Sequence, residues 1–546
     1  MRKKDFRLVF LLLVFIWPDA FAQPCQPVNS SFQFSPTTRN RTIEWQKFPE
    51  FSLPFKIVWG GPRFGDTQKQ PLKHGFSHIG YYEGQDPDLE PKNRAWIWYG
   101  VASPSANQPW ETIRSPWNNN TDLYKSHFRN GINAVADNFH STFRSGVPNV
   151  DLMIFDIERN IRSNDSILVL KNHPLTPQQY KSLDNQSFIL QYKKDMQNLY
   201  AEPFKQMRSV GIPQTMKLGS YADPPIPTTY INYPSLSWRE WTTATSQINY
   251  LNYDFSKNAL GGEFHNQQDF WGPTAYYFFD YPSPLAVDYL SFLLFQVEIN
   301  RAWSNKPIIP FVSVRFFYNP SLKDKFIRPY MAEATAIFPF FSGASGLWLW
   351  DDPLNHNRDE NFGLYEHFIN GLHRLSLHKN MFEGNYELVI PTPARDYNDT
   401  QKPIWRGVFK ENNLLVAAHN PYAKSENDVV TVPIAYKNWQ GSVTLKGYEV
   451  FLCKFDLNLT GNENPSVLSS IEVLPNPTQE ELKLRINATQ SLSANIELVD
   501  AQGRIVYAEK ANIDLGSNDK VLKINQLSSG TYFVRILNST KKFIKQ

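Results

Sequence analysis

Between residues 53 and 350, short apolar runs alternate with longer amphipathic stretches, and this alternation constrains the fold more than any other feature. The runs are Leu53–Trp59, Arg94–Tyr99, Val150–Glu158, Met216–Tyr221, Pro273–Phe279, Lys306–Arg315 and Gly346–Trp350. Stretches with apolar residues at three- and four-residue spacing lie between them, at Phe188–Arg208, Leu285–Trp303 and around Ala332–Phe341, and read as helices. Strands that alternate with helices build a parallel sheet, and a segment of this length is enough for a TIM-like (β/α) barrel. A barrel is therefore expected over residues 51–379, after an N-terminal lead-in at 23–50. In such a fold the reactive groups gather at the C-terminal ends of the strands. Polar or aromatic residues stand at those ends here: Asp156, Glu158, Tyr221, Tyr276, Arg315, Trp350 and Asp351.

The run Val150-Asp-Leu-Met-Ile-Phe-Asp-Ile-Glu158 carries the sharpest chemical signal. Strand residues alternate faces, so Ile154, Asp156 and Glu158 point the same way. Carboxylates at the end of a buried strand are costly to desolvate unless partnered or used. Paired carboxyls are also what most glycoside hydrolysis employs. A salt bridge to a nearby arginine is the plain structural alternative.

The ends of the chain indicate where it works. Met1–Arg7 is basic, Leu8–Trp17 is a short apolar core and Ala20-Phe-Ala22 supplies small residues for cleavage. Residues 1–22 thus read as a signal peptide, too short for a stable membrane span, with the mature chain starting at Gln23. The chain holds only two cysteines, Cys25 and Cys453. In an oxidising exterior they can pair, and two independent thiols fit as well. From Gly384 the pattern turns to strands and turns, and a β-sandwich is expected over 380–457, with a polar linker at 458–470.

The last stretch, 471–546, has alternating apolar residues and glycine-marked turns, as in a small antiparallel sandwich. It opens with Pro475-Asn-Pro477, continues through a Gly503-Arg-Ile-Val506 hairpin and ends on Leu527-Ser-Ser-Gly-Thr-Tyr-Phe-Val534. In that order these motifs resemble the C-terminal sorting domain of the type IX secretion system. The resemblance implies a Gram-negative bacterium, export through the periplasm by that machinery, and a secreted or surface-attached product.

Several central motifs, also in order, resemble the hyaluronidases of glycoside hydrolase family 56. They are Val58-Trp-Gly-Gly-Pro62, Phe155-Asp-Ile-Glu158, Leu218-Gly-Ser-Tyr221 with Asp223-Pro224, Pro273-Thr-Ala-Tyr276, Ile309-Pro-Phe-Val312 and Gly343-Ala-Ser-Gly-Leu-Trp-Leu-Trp350. The acid strand continues as Arg159-Asn-Ile161, where that family has Trp-Arg-Pro, and the animal enzymes' bracing cysteines are missing. Asp151, Asp156 and Glu158 are also similar to part of the chitinase signature, with Leu152 and Ile154 replacing its Gly and middle Asp.

Both resemblances imply a retaining endo-β-N-acetylhexosaminidase that uses its substrate as nucleophile. Glu158 would be the general acid, and Asp156 would orient the acetamido group and stabilise the cationic intermediate. Tyr221 and Tyr276 would hydrogen-bond the substrate, and Trp350 would floor the pocket. Asp351 would contact sugar hydroxyls or cap the next helix. Arg315 would pair with a uronate or neutralise Asp156. The alternatives are a glycosidase of other specificity with a two-carboxylate mechanism, and a non-catalytic glycan-binding surface protein.

Other chemistries find little support. A net charge of +3 implies no nucleic-acid partner. His74 and His78 stand i, i+4, but Gly75 and the turn residues around them argue against a helical metal site, and no cofactor or metal is expected. Neither a Gly-x-Ser-x-Gly elbow nor a phosphate-binding glycine loop is placed between strand and helix. Aromatic residues are plentiful, with 15 Trp, 26 Tyr and 39 Phe, which suits stacking on sugar rings as well as core packing.

Overall fold

The computed structural model describes residues 41–546 except 63–68, 81–88, 99–115, 118–125, 127–129, 131–149, 158–162, 228–232, 281–288, 318, 352–360, 458–467, 489–490, 501–503 and 538. The signal segment, Cys25, Glu158 and most of the linker thus lie outside the described residues.

Eight short strands carry the α/β part: β1 (Lys56–Gly60), β2 (His78–Ile79), β3 (Ala95–Trp98), β4 (Leu152–Phe155), β5 (Lys217–Tyr221), β6 (Phe270–Gly272), β7 (Phe311–Val312) and β8 (Gly346–Trp350). They form two parallel sheets of four, ordered β2-β1-β8-β7 and β3-β4-β5-β6. Isolated parallel bridges continue from both edges: Ile79 pairs with Arg94, Trp271 with Ile308 and Thr274 with Phe311. Two strands differ from expectation because of proline. Pro273 has no N–H for a ladder, so the strand expected at 273–279 instead ends at Gly272, with a lone bridge at Thr274. Pro307 and Pro310 likewise shorten the run at 306–315 to Phe311–Val312.

Helices α1 (Asn185–Ser209), α2 (Tyr289–Trp303), α3 (Pro329–Phe341) and α4 (Gly363–Ser376) match the predicted periodic stretches and add one after β8. The start of α1 is set by Asp184, whose carboxylate accepts from Ser187 N at 3.0 Å.

The strands bury both faces, in two separate clusters. On β4, Met153 and Phe155 join the large cluster shared with the helices, while Leu152 and Ile154 join a smaller one. The smaller cluster takes residues from both sheets, including Val58, Ile97, Phe270, Phe311 and Trp348. Two glycines make room inside it. A Cβ at Gly219 would come within 2.7 Å of the Phe270 ring, and one at Gly272 within 2.6 Å of Ile154 Cδ1.

Beyond α4 come β9 (Glu387–Val389), helix α5 (Ala394–Thr400), β10 (Ile404–Lys410), β11 (Asn413–His419), β12 (Val429–Tyr436), β13 (Trp439–Lys446) and β14 (Val450–Asp456). A β-sandwich was expected over 380–457. Among the described residues β9-β10-β11-β14 make one antiparallel sheet, and β12-β13 a two-stranded one. The four-stranded sheet packs on α3, and Ile404, Val408, Leu415 and Leu452 belong to the large cluster. One layer against it is therefore helical, and its other face is buried as well, through Leu414, Val416 and Ala418. A buried ion pair fastens it: Arg406 donates to Glu298 Oε1 of α2 from Nε at 2.9 Å and Nη2 at 2.8 Å. Ser342 Oγ and Ala394 N, both at 2.7 Å, complete the Glu298 carboxylate, as a buried charge requires. Cys453 in β14 is buried and disulfide-bonded, and the chain's other cysteine is Cys25.

Residues up to 428 with 445–456 form one compact unit, and 429–444 with 457–546 a second. The second contains β15 (Leu468–Leu474), β16 (Glu481–Ala488), β17 (Leu492–Asp500), β18 (Ile505–Ile513), β19 (Gly516–Lys523), β20 (Gly530–Ile536) and β21 (Ser539–Lys545). Sheets β15-β16-β19 and β18-β17-β20-β21 enclose a core in which alternate residues are buried, among them Leu482, Leu484, Ile486, Ile496, Leu498, Val534 and Ile536. Among the described residues no helix is long and apolar enough to cross a membrane.

Candidate active site

Asp156 follows β4 directly, and its N–H bonds to Trp98 O at 3.0 Å, which prolongs the parallel pairing. The alternation also continues: Ile157 is buried in the large cluster with Met153 and Phe155. Asp156 therefore falls on the face of Leu152 and Ile154, towards the smaller cluster. Glu158, two residues on, lies outside the described residues.

The same end of the strands is aromatic. Tyr221 closes β5 and Tyr276 follows β6, with ring centroids 6.5 Å apart. Tyr276 stands 5.8 Å from Trp350, the last residue of β8, and 4.6 Å from Phe317. Phe317 and Trp350 are 5.2 Å apart, so the three rings form one wall. Phe317 was missed from the sequence. Arg315 was selected there, and Phe317 stands two residues beyond it, so the alternation rule was the available signal.

After Tyr221 the backbone turns sharply, with Ala222 at φ 63°, a left-handed conformation unfavourable for a residue with a Cβ. The turn brings Asp223 back beneath the strand end, where it accepts from Ser220 Oγ at 2.8 Å and is buried. Strain of this kind concentrates at functional positions, where the surroundings hold it.

Arg315 and Asp351 meet each other rather than the surface. Both are fully buried, with Arg315 Nε 3.1 Å from Asp351 Oδ2. Arg315 also donates from Nη1 to Asp324 O at 2.8 Å and lies 3.8 Å above the Phe326 ring. Asp351 accepts a second hydrogen bond, from Tyr365 Oη of α4. Burial, followed by the charge of Asp351, holds the Tyr365 hydroxyl well above the usual phenol range, so it stays a donor. The sequence suggested that Asp351 contacts sugar hydroxyls or caps the next helix. Its carboxylate has no accessible surface and is held by Arg315 and Tyr365. The partner expected for Arg315 was Asp156 or a uronate, and the ion pair is with Asp351.

Residues 472–546 match the model of the secretion system C-terminal sorting domain. This type IX tail marks the chain for export to the cell surface or beyond. No curated protein matches the chain. Among solved structures, bee venom hyaluronidase is similar at 14% identity and TM-score 0.38, covering 59% of this chain and 100% of that one. A GH30 endoxylanase from Clostridium papyrosolvens is similar at 10% identity and TM-score 0.32, covering 87% and 95%. A glucosidase from Croceicoccus marinus is similar at 9% and 0.29, covering 87% and 94%. Likeness this loose assigns no activity.

The opposite end of the strands is occupied by a closed polar network. Asp151, just before β4, accepts from Lys56 Nζ and from His78 Nε2, the latter at 2.9 Å. Ser77 Oγ lies 2.6 Å from His78 Nδ1 and accepts from Ile57 N at 2.8 Å. A neutral His78 satisfies every contact, donating to Asp151 and accepting from Ser77. Serine, histidine and aspartate line up here, but the neighbouring amides of Gly75, Phe76 and Ser77 are all bonded to backbone carbonyls, leaving no oxyanion donors. His74 donates from Nδ1 to Gln70 O at 2.7 Å, and among the described residues no three His, Cys, Asp or Glu side chains form a metal-binding group.

Proposed function

We propose that the eight parallel strands close into a (β/α) barrel and that the chain is an exported, hyaluronidase-like glycoside hydrolase. The substrate class is a glycosaminoglycan or related acetamido-sugar polymer, cleaved within the chain and with retention. One observation carries the reading: Asp156 leaves β4 on the face of the smaller cluster, at the strand end bearing Tyr221, Tyr276, Phe317 and Trp350. The bridges at Ile79–Arg94 and Trp271–Ile308 support closure, since they link the edges of the two sheets.

In this reading Glu158 protonates the glycosidic oxygen as the bond to the leaving sugar breaks. The acetamido oxygen of the substrate attacks the anomeric carbon from the other face, so no protein nucleophile is needed. Asp156 orients the acetamido N–H and balances the positive charge of the oxazolinium-like intermediate. Water, deprotonated by Glu158, then opens that intermediate with overall retention. Tyr221 and Tyr276 position the acetamido or carboxylate group by hydrogen bonds, and Trp350 supports the ring. The sorting tail carries the enzyme through the periplasm of a Gram-negative bacterium to the type IX machinery.

The test is incubation of the full chain with hyaluronan and with chondroitin, following chain length and new reducing ends, beside Glu158→Gln. Shortening by the wild type and its loss in the variant are expected, with no ultraviolet-absorbing unsaturated uronate of the kind a lyase releases. A folded wild type that cleaves neither polymer, or a variant with normal turnover, overturns the assignment.

A further inference from the structure

The smaller cluster does not by itself explain why its aromatic wall keeps one arrangement. Phe317 and Trp350 come from separate segments, Phe317 buried in the smaller cluster and Trp350 packed half-buried against it. Behind them lies a buried polar assembly that the proposed chemistry does not use. Arg315 is two residues before Phe317, and Asp351 is the residue after Trp350. Their ion pair therefore ties the backbone that carries one ring to the backbone that carries the other. Arg315 is also set in place from a third side by Asp324 O and by the face of Phe326. On the far side, Tyr365 reaches from α4 to the same Asp351 Oδ2 that receives Arg315. All three side chains are essentially without solvent exposure.

We infer that Tyr365, acting through Asp351 and Arg315, is a positioning residue that fixes the Trp350–Phe317 wall for substrate binding. The inference rests on the reading of that wall as a sugar-binding surface. Its physical basis is the cost of leaving a buried carboxylate short of donors. With the Tyr365 hydroxyl in place, Asp351 has one arrangement that satisfies it, and Trp350, covalently attached next to it, has one backbone setting. Without that hydroxyl, Asp351 gains by turning towards other donors or water, and the turn moves Trp350 first. A wall that must be reordered on binding weakens the complex more than it slows the chemistry, because Asp156 follows β4 and takes no part in the Tyr365–Asp351–Arg315 assembly.

The test uses the full chain and the variants Tyr365→Phe and Asp351→Asn, with two readouts. In protein labelled with 5-fluorotryptophan, the Trp350 fluorine resonance is assigned by its loss in Trp350→Phe. It is expected to shift or split in Tyr365→Phe, while that of Trp405, in the other sheet, stays in place. On a polymer that the wild type cleaves, Tyr365→Phe is expected to raise KM several-fold with kcat within about twofold, and Asp351→Asn to show the same split more strongly. A Trp350 resonance unmoved in both folded variants overturns the inference, as does a fall in thermal stability with KM unchanged. If the wild type cleaves nothing, the proposed activity falls, and the fluorine readout still decides whether Tyr365 positions Trp350.

Discussion

Strand β4 has an aspartate at each end, and the two live in opposite surroundings. Asp151, at the N-terminal end, is shared between Lys56 and His78, with Ser77 behind the histidine. Asp156, at the C-terminal end, opens towards Tyr221, Tyr276, Phe317 and Trp350 in a fold whose next acid is Glu158. The residue type is the same, so the difference in role comes from what each end of a parallel sheet gathers. One end satisfies its carboxylate with the Lys56 ammonium and the neutral His78 ring, from two further strands. The other sets Asp156 at a strand end lined by the rings of Tyr221, Tyr276, Phe317 and Trp350.

The largest effect expected is at the C-terminal end. Glu158→Gln removes the proposed proton donor and should lower turnover about 10²–10⁴-fold with Tm unchanged, read by reducing-end assay and calorimetry on the same sample. Asp156→Asn keeps the shape but not the charge and should lower turnover by about 10² or more. At the N-terminal end the effects should move to stability. Asp151→Asn is expected to cost about 1–2 kcal/mol in chemical denaturation, a figure kept small because Lys56 is 44% exposed, with kcat and KM unchanged.

Acid should also act on that end. Burial favours a higher pKa for Asp151, yet the hydrogen bonds and charges of His78 and Lys56 prevail and lower it. For His78, burial dominates over the bond from Asp151, and its pKa lies below the ordinary 6.5. Burial also lowers His419 to about 4; its Nδ1 donates to Glu449 O at 2.9 Å and its Nε2 accepts from Tyr289 Oη at 2.7 Å. In all three cases the unfolded chain takes up protons more readily than the folded one. Stability should therefore be full above pH 6.5 and decline in acid, first through the histidines and then through Asp151. Denaturation midpoints between pH 7 and 3 would show this slope, and Asp151→Asn should flatten only its lowest part. That is the smallest of the expected effects.

Much of this contrast was legible in the sequence. The period of two in Val150–Glu158 sorts Leu152 and Ile154 from Met153, Phe155 and Ile157, and the two core clusters divide in the same way. Tyr221 and Trp350 end their apolar runs and stand at strand ends, while Tyr276 lies inside its run and beyond the end of β6. The pairing of Arg315 with Asp351 and Tyr365 was not legible, since nothing local in three separated segments encodes which buried donor meets which acceptor. Over 380–457, where a β-sandwich was expected, the described strands form a four-stranded sheet and a two-stranded one. The central strands of the four-stranded sheet are buried on both faces, and the helical cover of one face, with the Arg406–Glu298 pair, comes from distant segments that local pattern does not name.

The most direct test of the central claim sets Asp156→Asn beside Asp151→Asn and measures turnover on an acetamido-sugar polymer together with Tm for both. Loss of turnover at native Tm for the first, and a lowered Tm at native turnover for the second, is the predicted outcome. Equal turnover in the two variants, or loss of activity only in Asp151→Asn, would contradict the assignment of function to the C-terminal end of the strands.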